Sequence, residues 1–525
     1  MIPSSRISLR LVRQAAEKGW DSGGRPPKIP SGAEARVDSI GLTRGLKPPS
    51  PSASSFSAAG RTRFQQITLA ASLLLALGAV PLWGQKTAQV QVNVKTELAV
   101  VSAAGYGVGM SVYDNDFTST GLPEKLKAAG VTALRYPGGS YADCFHWKTT
   151  AETPRTNIYI NPNDTFDHFM TLNVLPAGAQ AIITVNYGSN AAGTGGGDPA
   201  EAADWVRYAN REKGWNIRYW EIGNEISGNG YFGPTWEEDL HAPYDSNRKG
   251  NPALSLTAYG KNALEFIRAM KAVDPTIKIG VGVDIPEYNP GTGNDALMQA
   301  LKDKIDFVIV HWYPKTSSTD LTVTGDIEPQ VAALREEIAR NAGEAQRKIS
   351  LAVTETNGGG SGAARALFAT DTYLTWFEAG AFTVVWQEMH NGFLSQAKEA
   401  PLDSPSEAYY GVQMASTAAR PGDVLVEAKS STPMLSAHAV RRKDGGVAIV
   451  LINKHPSQPY LVSLTIPDAP LAAAGTRYDF GRANFSLNSP WPSSGPTQTK
   501  LEGTGNSFPV TVPATSESVV IIPGK

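Results

Sequence analysis

Between about residues 105 and 392, short apolar runs of strand length alternate with longer segments in which apolar residues recur every three or four positions. Runs of the first kind predict buried strands, and segments of the second kind predict amphipathic helices. Eight such runs occur: Tyr106–Tyr113, Ala133–Gly138, Ala181–Tyr187, Tyr219–Glu225, Lys278–Asp284, Asp306–Tyr313, Leu351–Glu355 and Phe382–Glu388. Eight parallel strands that each lead to a helix predict an α/β fold of the (β/α)8 barrel type, with a doubly wound open sheet as the structural alternative.

The intervening helices carry start signals of their own. Asp198 is a candidate N-cap, followed by Pro199 at the first helical position and Glu201 in the first turn. The segments 256–274 and 327–340 have comparable apolar spacing. These helices are expected to pack around the outside of the barrel.

After about residue 415 the pattern changes to short alternating runs separated by Pro, Gly, Ser and Asn, such as Val447–Asn453, Tyr460–Ile466 and Ser518–Ile522. This pattern predicts an accessory β-sandwich. The strand-like segment Ala88–Val101 precedes the barrel and is expected to pair with the sandwich. The predicted divisions are therefore 85–104 for the joining strand, 105–414 for the barrel and 415–525 for the sandwich.

The first 84 residues differ from the rest of the chain. Residues 1–60 show no sustained apolar period, and Arg61 and Arg63 then precede an apolar run from Ile67 to Trp83. A basic stretch followed by such a run is typical of a signal peptide, with cleavage expected within 79–85. If it is left uncleaved, the segment would act as a membrane anchor. We therefore predict a leader over 1–84 and an exported protein, periplasmic or extracellular.

Charge and cysteine content narrow the choice of partners. After residue 84 the chain holds 36 basic and 45 acidic side chains, a net charge of about −9. Nucleic-acid binding requires basic patches, so a neutral oligosaccharide or polysaccharide is the better match. The single cysteine, Cys144, cannot form an internal disulfide, and stability must come from the buried core.

Two predicted strands end in glutamates that suit one reaction. In (β/α)8 barrels the active site forms at the carboxyl ends of the strands, where Glu225 closes the fourth run and Glu355 the seventh. Strands four and seven lie roughly across the barrel mouth, so both carboxylates can flank one sugar. Retaining glycosidases need such a pair at ~5–5.5 Å. Either glutamate alone would more often be a helix cap or a loop charge; the pair favours glycoside hydrolysis.

These strand ends resemble clan A of the glycoside hydrolases, whose barrels carry an Asn-Glu acid/base after strand four and a Glu nucleophile after strand seven. Leu134-Arg135-Tyr136-Pro137-Gly138-Gly139 and His311-Trp312-Tyr313 are similar to the corresponding elements of family 51 α-L-arabinofuranosidases. The resemblance implies a retaining enzyme with Glu225 as general acid/base and Glu355 as nucleophile. It implies an α-L-arabinofuranosidase-like activity that proceeds by double displacement and uses no cofactor.

The resemblance also implies roles for neighbouring residues. Asn224 would bind the 2-hydroxyl of the sugar, Tyr313 would hydrogen-bond Glu355, and Arg135 would favour the ionised form of Glu355. His311 is either a hydrogen-bonded core residue or a direct substrate contact. Three tryptophans are either stacking surfaces for sugar rings or core residues: Trp147, Trp312 and Trp386.

Departures from the family 51 pattern leave the identity of the sugar substrate undecided. Ser140 stands where family 51 usually has Asn, and Thr354-Glu355-Thr356 differs from the usual Asp-Glu-Trp. The segment Trp220–Glu225 also resembles family 79 β-glucuronidases and heparanases, although Ile226 replaces their usual Pro, and families 39 and 30 share the same layout. The alternatives are a β-xylosidase, β-glucuronidase or endoglucanase of the same clan, or a carbohydrate-binding protein without turnover.

Two further acidic residues lie on predicted strands. Alternation along a strand puts Glu221 on the same face as Glu225 but ~13 Å deeper at ~3.3 Å per residue, which predicts a buried structural acid paired with Arg135. Glu388 ends the eighth run and is expected to contact substrate. No cluster of His, Asp and Glu has metal-site spacing along the chain, so no catalytic metal is predicted.

Overall fold

The computed structural model describes residues 85–525 apart from 155, 232–236, 286–292, 315–319, 397, 487–488 and 490. The leader predicted over 1–84 lies outside the described residues. Among the helices that the structure describes, none combines the length and the apolar content needed to traverse a bilayer.

Eight parallel strands close into a barrel, which confirms the predicted architecture. Each strand pairs with the next in chain order, and the last pairs with the first. All eight fall within or beside a predicted run. Their bounds are β2 Tyr106–Gly109, β3 Ala133–Tyr136, β6 Gln180–Val185, β7 Tyr219–Ile222, β8 Lys278–Gly282, β9 Phe307–Trp312, β10 Ser350–Thr356 and β11 Ala381–Trp386. A short hairpin, β4 Phe145–His146 and β5 Ala151–Glu152, lies in the loop after β3.

Helices occupy the connections between the barrel strands, and the last helix follows the final strand. They are α1 Leu122–Ala129, α2 Phe166–His168 continued by Phe169–Val174 and Leu175–Ala177, α3 Pro199–Val206 continued by Arg207–Glu212, α4 Pro252–Val273, α5 Asn294–Leu301, α6 Ile327–Ala342, α7 Ala363–Glu378 and α8 Glu407–Ala418. The predicted start of α3 is confirmed, because the Asp198 side chain accepts a hydrogen bond from the Ala200 backbone N–H at 2.8 Å.

Side chains inside the barrel close its lower end. Tyr219, Phe307 and Phe382 point inward from three strands, with ring centroids 5.0–6.3 Å apart. Gly280 makes room for them, since a Cβ there would lie 2.0 Å from the Phe307 ring. The aromatic plug leaves the polar inward-facing residues at the opposite end, where the strands finish.

The remaining strands form one nine-stranded sheet in the order β17-β16-β19-β14-β13-β12-β1-β15-β18. Their bounds are β1 Lys86–Val100, β12 Val424–Ser430, β13 Leu435–Arg441, β14 Val447–Asn453, β15 Tyr460–Thr465, β16 Ala474–Gly481, β17 Thr497–Glu502, β18 Ser507–Val512 and β19 Ser516–Ile522. The N-terminal strand β1 pairs antiparallel with β12 and parallel with β15, so its predicted place in this module is confirmed. Apolar side chains of β1, β14, β15, β18 and β19 share one core, so the sheet curls and supplies both layers of the predicted sandwich.

A buried ionic network joins this sheet to α7. Asp371 on α7 accepts from Lys454 Nζ at 2.7 Å and from His438 Nε2 at 2.9 Å, and His438 Nδ1 lies 3.0 Å from Glu378. Burial lowers the pKa of His438, but the two carboxylates outweigh burial and raise it to about 10. The histidine is therefore charged at neutral pH and holds the sheet to the barrel.

Candidate active site

Arg135, at the end of β3, lies at the centre of the upper barrel. Its Nε donates to Glu221 at 2.8 Å, Nη1 to Glu355 at 2.9 Å and Nη2 to the Asn224 side-chain oxygen at 2.9 Å. Burial disfavours the charged guanidinium, but the two carboxylates outweigh burial and raise the pKa of Arg135 above its ordinary value. The predicted pairing of Arg135 with Glu221 and its contact with Glu355 are confirmed.

A β-bulge in β10 turns Glu355 into the barrel. Val353 pairs with Val310 and Glu355 pairs with His311, so Thr354 is an extra residue without its own partner on β9. Val353 packs in the layer between strands and helices, and strict alternation would have pointed Glu355 the same way. The bulge corrects this direction, as bulges beside active sites often do.

Both oxygens of the Glu355 carboxylate accept hydrogen bonds. Tyr313 donates its hydroxyl to Oε2 at 2.6 Å, and Arg135 donates to Oε1 at 2.9 Å. Burial, and then the charges of Glu355 and Glu225, raise the pKa of Tyr313 well above its ordinary value, so its hydroxyl keeps the proton it donates. The expected contact between Tyr313 and Glu355 is confirmed, and the two donors fix the direction of the carboxylate.

A tight turn after β7 carries Glu225 to the barrel mouth. Gly223 has φ 69° and Glu225 has φ 48°, both in the left-handed region. A Cβ on Gly223 would lie 2.8 Å from Cβ of Tyr187, so glycine is required there. The Asn224 backbone N–H donates to Asp143 Oδ2 at 2.9 Å and anchors the turn. The strained conformation of Glu225 costs on the order of 1–3 kcal/mol, and such strain is often found at functional sites.

The two glutamates meet beside His311. One carboxylate oxygen of Glu225, one of Glu355 and one ring nitrogen of His311 lie within 4.8 Å of one another. His311 Nδ1 is 3.0 Å from Glu225 Oε1 and 3.6 Å from Glu355 Oε2, and its Nε2 is 3.2 Å from the Thr354 hydroxyl. Two carboxylate oxygens this close agree with the ~5–5.5 Å between carboxyl groups in retaining glycosidases better than with the ~6.5–9.5 Å in inverting ones.

The same three side chains are the group in the described residues with the geometry to hold a metal ion. Three ligands of this kind are what a catalytic zinc site offers. However, the Arg135 guanidinium already lies 2.9 Å from Glu355, and a second cation there would be repelled. The absence of a catalytic metal stays a prediction.

Two acids that the sequence patterns did not single out support Asn224. Glu237 accepts from the Asn224 side-chain amide at 3.0 Å, and Asp143 accepts from its backbone. Burial raises the pKa of Asp143 to about 8, although hydrogen bonds from the backbone N–H groups of Asn224, Tyr187 and Gly188 oppose the shift. Both acids lie in loops without periodic pattern, so no local signal marks them. The role of Asn224 at the sugar 2-hydroxyl stays a prediction.

The fold and this geometry can be compared with known proteins. No protein-family model matches the chain. It is 25% identical over 199 residues to probable α-L-arabinofuranosidase C of Aspergillus clavatus, covering 33% of this chain and 34% of that protein. The chain thus spans about a third of the length of the curated relatives that it matches.

Solved structures match over a larger share. The family 51 arabinofuranosidase of Xanthomonas axonopodis pv. citri covers 83% of this chain and 99% of its own at 17% identity, with a TM-score of 0.65. This chain has the fold of the family 51 arabinofuranosidases. A family 44 xyloglucanase of Paenibacillus polymyxa is also similar, at 12% identity over 84% of this chain and 100% of its own, with a TM-score of 0.61. The resemblance predicted from the strand ends is confirmed for the fold.

The structure does not bring the predicted tryptophans to the glutamates. Trp312 and Trp386 are 0% and 1% exposed and face the helices, because alternation on β9 and β11 turns them away from the barrel interior. Trp312 stacks on Phe368 with ring centroids 5.8 Å apart, and Trp147 stacks on Trp205 at 5.7 Å. Of the two roles left open by the sequence, core packing fits their positions.

Proposed function

We propose that this protein is a retaining glycoside hydrolase in which Glu355 is the nucleophile and Glu225 the general acid/base. The observation that carries the proposal is the pair of glutamates at the mouth of a (β/α)8 barrel, with one carboxylate oxygen of each within 4.8 Å of the other. Glu355 attacks the anomeric carbon while Glu225 gives its proton to the departing glycosidic oxygen. Water then gives a proton to Glu225 and attacks the same carbon, which releases Glu355 and retains the configuration.

The surroundings of the two glutamates support this division of roles. Glu355 is 2% exposed and accepts from Arg135 and Tyr313, so its negative charge is stabilised and its direction is fixed. Glu225 contacts His311 Nδ1 at 3.0 Å, and its side chain is 12% exposed against 3% for that of Glu355. A buried, fixed carboxylate suits nucleophilic attack, and the carboxyl group nearer to solvent suits acid and base catalysis.

As substrates we propose oligosaccharides or polysaccharides that carry α-L-arabinofuranosyl linkages. Support comes from the curated relatives, which are named as α-L-arabinofuranosidases, and from the shared family 51 fold. The likeness to a xyloglucanase makes a glucan-cleaving enzyme the second candidate. β-Xylosides and β-glucuronides are the remaining sugars of the same clan, and a binding protein without turnover is the alternative outside enzymes.

A panel of 4-nitrophenyl glycosides separates these candidates. Turnover of the α-L-arabinofuranoside supports the proposed substrate. Turnover of only a β-xyloside, β-glucuronide or β-glucan fragment would mean that the same reaction acts on a different sugar. Binding of oligosaccharides without release of nitrophenol from any substrate would support the binding protein and contradict the proposal.

The roles of the glutamates have a separate test. Glu355→Ala should abolish turnover, and azide should restore it with a product of inverted configuration, because the small anion fills the place of the carboxylate. Glu225→Ala should retain turnover only for substrates with good leaving groups, which need no proton. Glu124→Ala, on the exposed face of α1, is the matched control and should behave as wild type. Near-normal rates in Glu355→Ala would contradict the assignment.

We also propose that the protein is exported. The support is the basic pair Arg61 and Arg63 ahead of the apolar run Ile67–Trp83. Expression of the full chain should yield a mature protein outside the cytoplasm whose N-terminus, determined by Edman sequencing, lies within 79–85. A cytoplasmic protein with an intact N-terminus would contradict this proposal, and a membrane-bound one with an intact N-terminus would favour the anchor.

A further inference from the structure

A cleft of about 250 Å³ opens between the loop after β2 and the loop after β11. Its walls include Ser111, Tyr113 and Asp114 from the first loop and Glu388 and Asn391 from the second. Neither Glu225 nor Glu355 belongs to its lining. The cleft is therefore a cavity beside the carboxylate pair and not the space between the two carboxylates.

Glu388 is the principal polar group of the cleft. It is 7% exposed, and Tyr113 donates its hydroxyl to the two carboxylate oxygens at 2.9 and 2.8 Å, while Ser111 also donates to Oε2. The side-chain amides of Gln387 and Asn391 lie farther away, at 3.4 Å from Oε2 and 3.5 Å from Oε1. Hydroxyls of a ligand in the cleft can replace these two long contacts by shorter hydrogen bonds to the buried carboxyl group.

An ionic triad in the wall of the cleft fixes its two loops. His390 lies between Asp114 and Asp403, with distances of 2.6 Å to Asp114 and 2.8 Å to Asp403. Burial lowers the pKa of His390, but the two aspartates outweigh burial and raise it to about 9. The histidine is therefore charged at neutral pH and ties the loop after β11 to the loop after β2. The walls are thus held in place before any ligand binds.

The cleft lies next to the proposed site of bond cleavage. Gln387 Nε2 is 3.4 Å from Glu388 Oε2, and it lies beside Gly139, where a Cβ would be 3.7 Å from Gln387 Nε2 and 3.8 Å from Glu355 Oε1. Gln387 therefore lies close to both Glu388 and Glu355. A sugar chain whose reacting ring lies over Glu355 would place a neighbouring ring in the cleft.

We propose that this cleft is a subsite for a second, neutral sugar ring, and that Glu388 selects that ring by accepting hydrogen bonds from its hydroxyls. The proposal rests on the proposed glycoside hydrolase function. Three carboxyl groups line the cleft, from Asp114, Asp116 and Glu388, against the two cations His390 and Lys398. Acidic groups therefore outnumber cations, which disfavours the carboxylate of a uronic acid. Neutral sugars offer the hydroxyl donors that these acids require.

The test compares substrates of one ring and of three rings. For wild type and Glu388→Gln, kcat/KM is measured with 4-nitrophenyl α-L-arabinofuranoside and with α-1,5-linked arabinotriose. The ratio of the triose value to the one-ring value should fall about tenfold or more in Glu388→Gln, mainly through KM, because the amide replaces one of the two acceptor oxygens by a donor. Asn391→Ala, an exposed change at the cleft rim, should lower the ratio about threefold. Glu124→Gln is the control and should keep the wild-type ratio.

Equal losses on both substrates, or an unchanged ratio in both cleft variants, would overturn the subsite. If wild type cleaves no arabinoside, the proposed substrate fails while the subsite remains testable by calorimetry with arabinotriose, xylotriose and cellotriose. One of these should then bind wild type at least about fivefold more tightly than Glu388→Gln. No binding, or equal binding to both proteins, would also overturn the subsite.

Discussion

Replacing Arg135 by Met tests how strongly one buried cation holds the site together. The side chain is 1% exposed and donates hydrogen bonds to Glu221, Glu355 and Asn224 at 2.8–2.9 Å. Methionine keeps an unbranched apolar stem but has no charge, so two buried carboxylates lose their cation. Removing one partner of a buried ion pair costs about 3–5 kcal/mol, and we expect the free energy of unfolding to fall by that amount.

The assay is urea unfolding followed by tryptophan fluorescence. Arg268→Met is the matched control, since the Arg268 side chain is 72% exposed in a surface ion pair with Glu265, and its loss should cost less than about 0.5 kcal/mol. A double-mutant cycle with Glu221→Gln should show a coupling of about 1–3 kcal/mol, because the second change removes one of the stranded charges. A loss below about 1 kcal/mol in Arg135→Met, or additivity within about 0.5 kcal/mol, would refute the reasoning.

Three further predictions concern packing and charge. Gly280→Ala should lower the free energy of unfolding by about 1–3 kcal/mol, because the added Cβ would meet the Phe307 ring. Gly282→Ala is the control and should cost much less, since a Cβ there would have no atom within 4 Å. Thermal unfolding measures both changes. The pKa of His438 is raised to about 10 in the folded protein, so the stabilisation by its charge is complete below the unfolded pKa of about 6.5 and is lost as pH rises through about 10. The difference in free energy of unfolding between wild type and His438→Gln should therefore shrink from about pH 6 to about pH 10 in urea unfolding. A difference that grows over this range would contradict the prediction. Trp312→Ala should cost about 3–5 kcal/mol as a core truncation, and a variant that kept its stability but lost substrate affinity would restore the sugar-stacking role.

The barrel could be predicted from the sequence because its strands are buried on both faces. Continuous apolar runs such as Lys278–Asp284 are visible without any tertiary information, and the structure places β8 Lys278–Gly282 within that run. Runs of this kind end where loops begin, so Glu225 and Glu355 were identifiable as strand-end acids. The pairing of Glu221 with Arg135 followed from the period of two along a strand.

The same period misleads where the backbone departs from regularity. The bulge at Thr354 moves Glu355 to the interior of the barrel, and the residue types of that segment do not predict a bulge. Trp312 follows His311 directly and therefore faces the opposite side, which separates two residues that stand together in one motif.

The sequence by itself determined which residues form strands, which acids end them and which chemistry such a pair can perform. Only the tertiary structure decided which of those side chains meet, because contacts among Arg135, Glu355 and the loop acids Asp143 and Glu237 join segments far apart along the chain. The spacing of apolar residues is a local property, because it reflects which faces of each strand are buried. Loop residues show no such regular spacing. Their positions follow from how the closed barrel brings the ends of different strands to one rim.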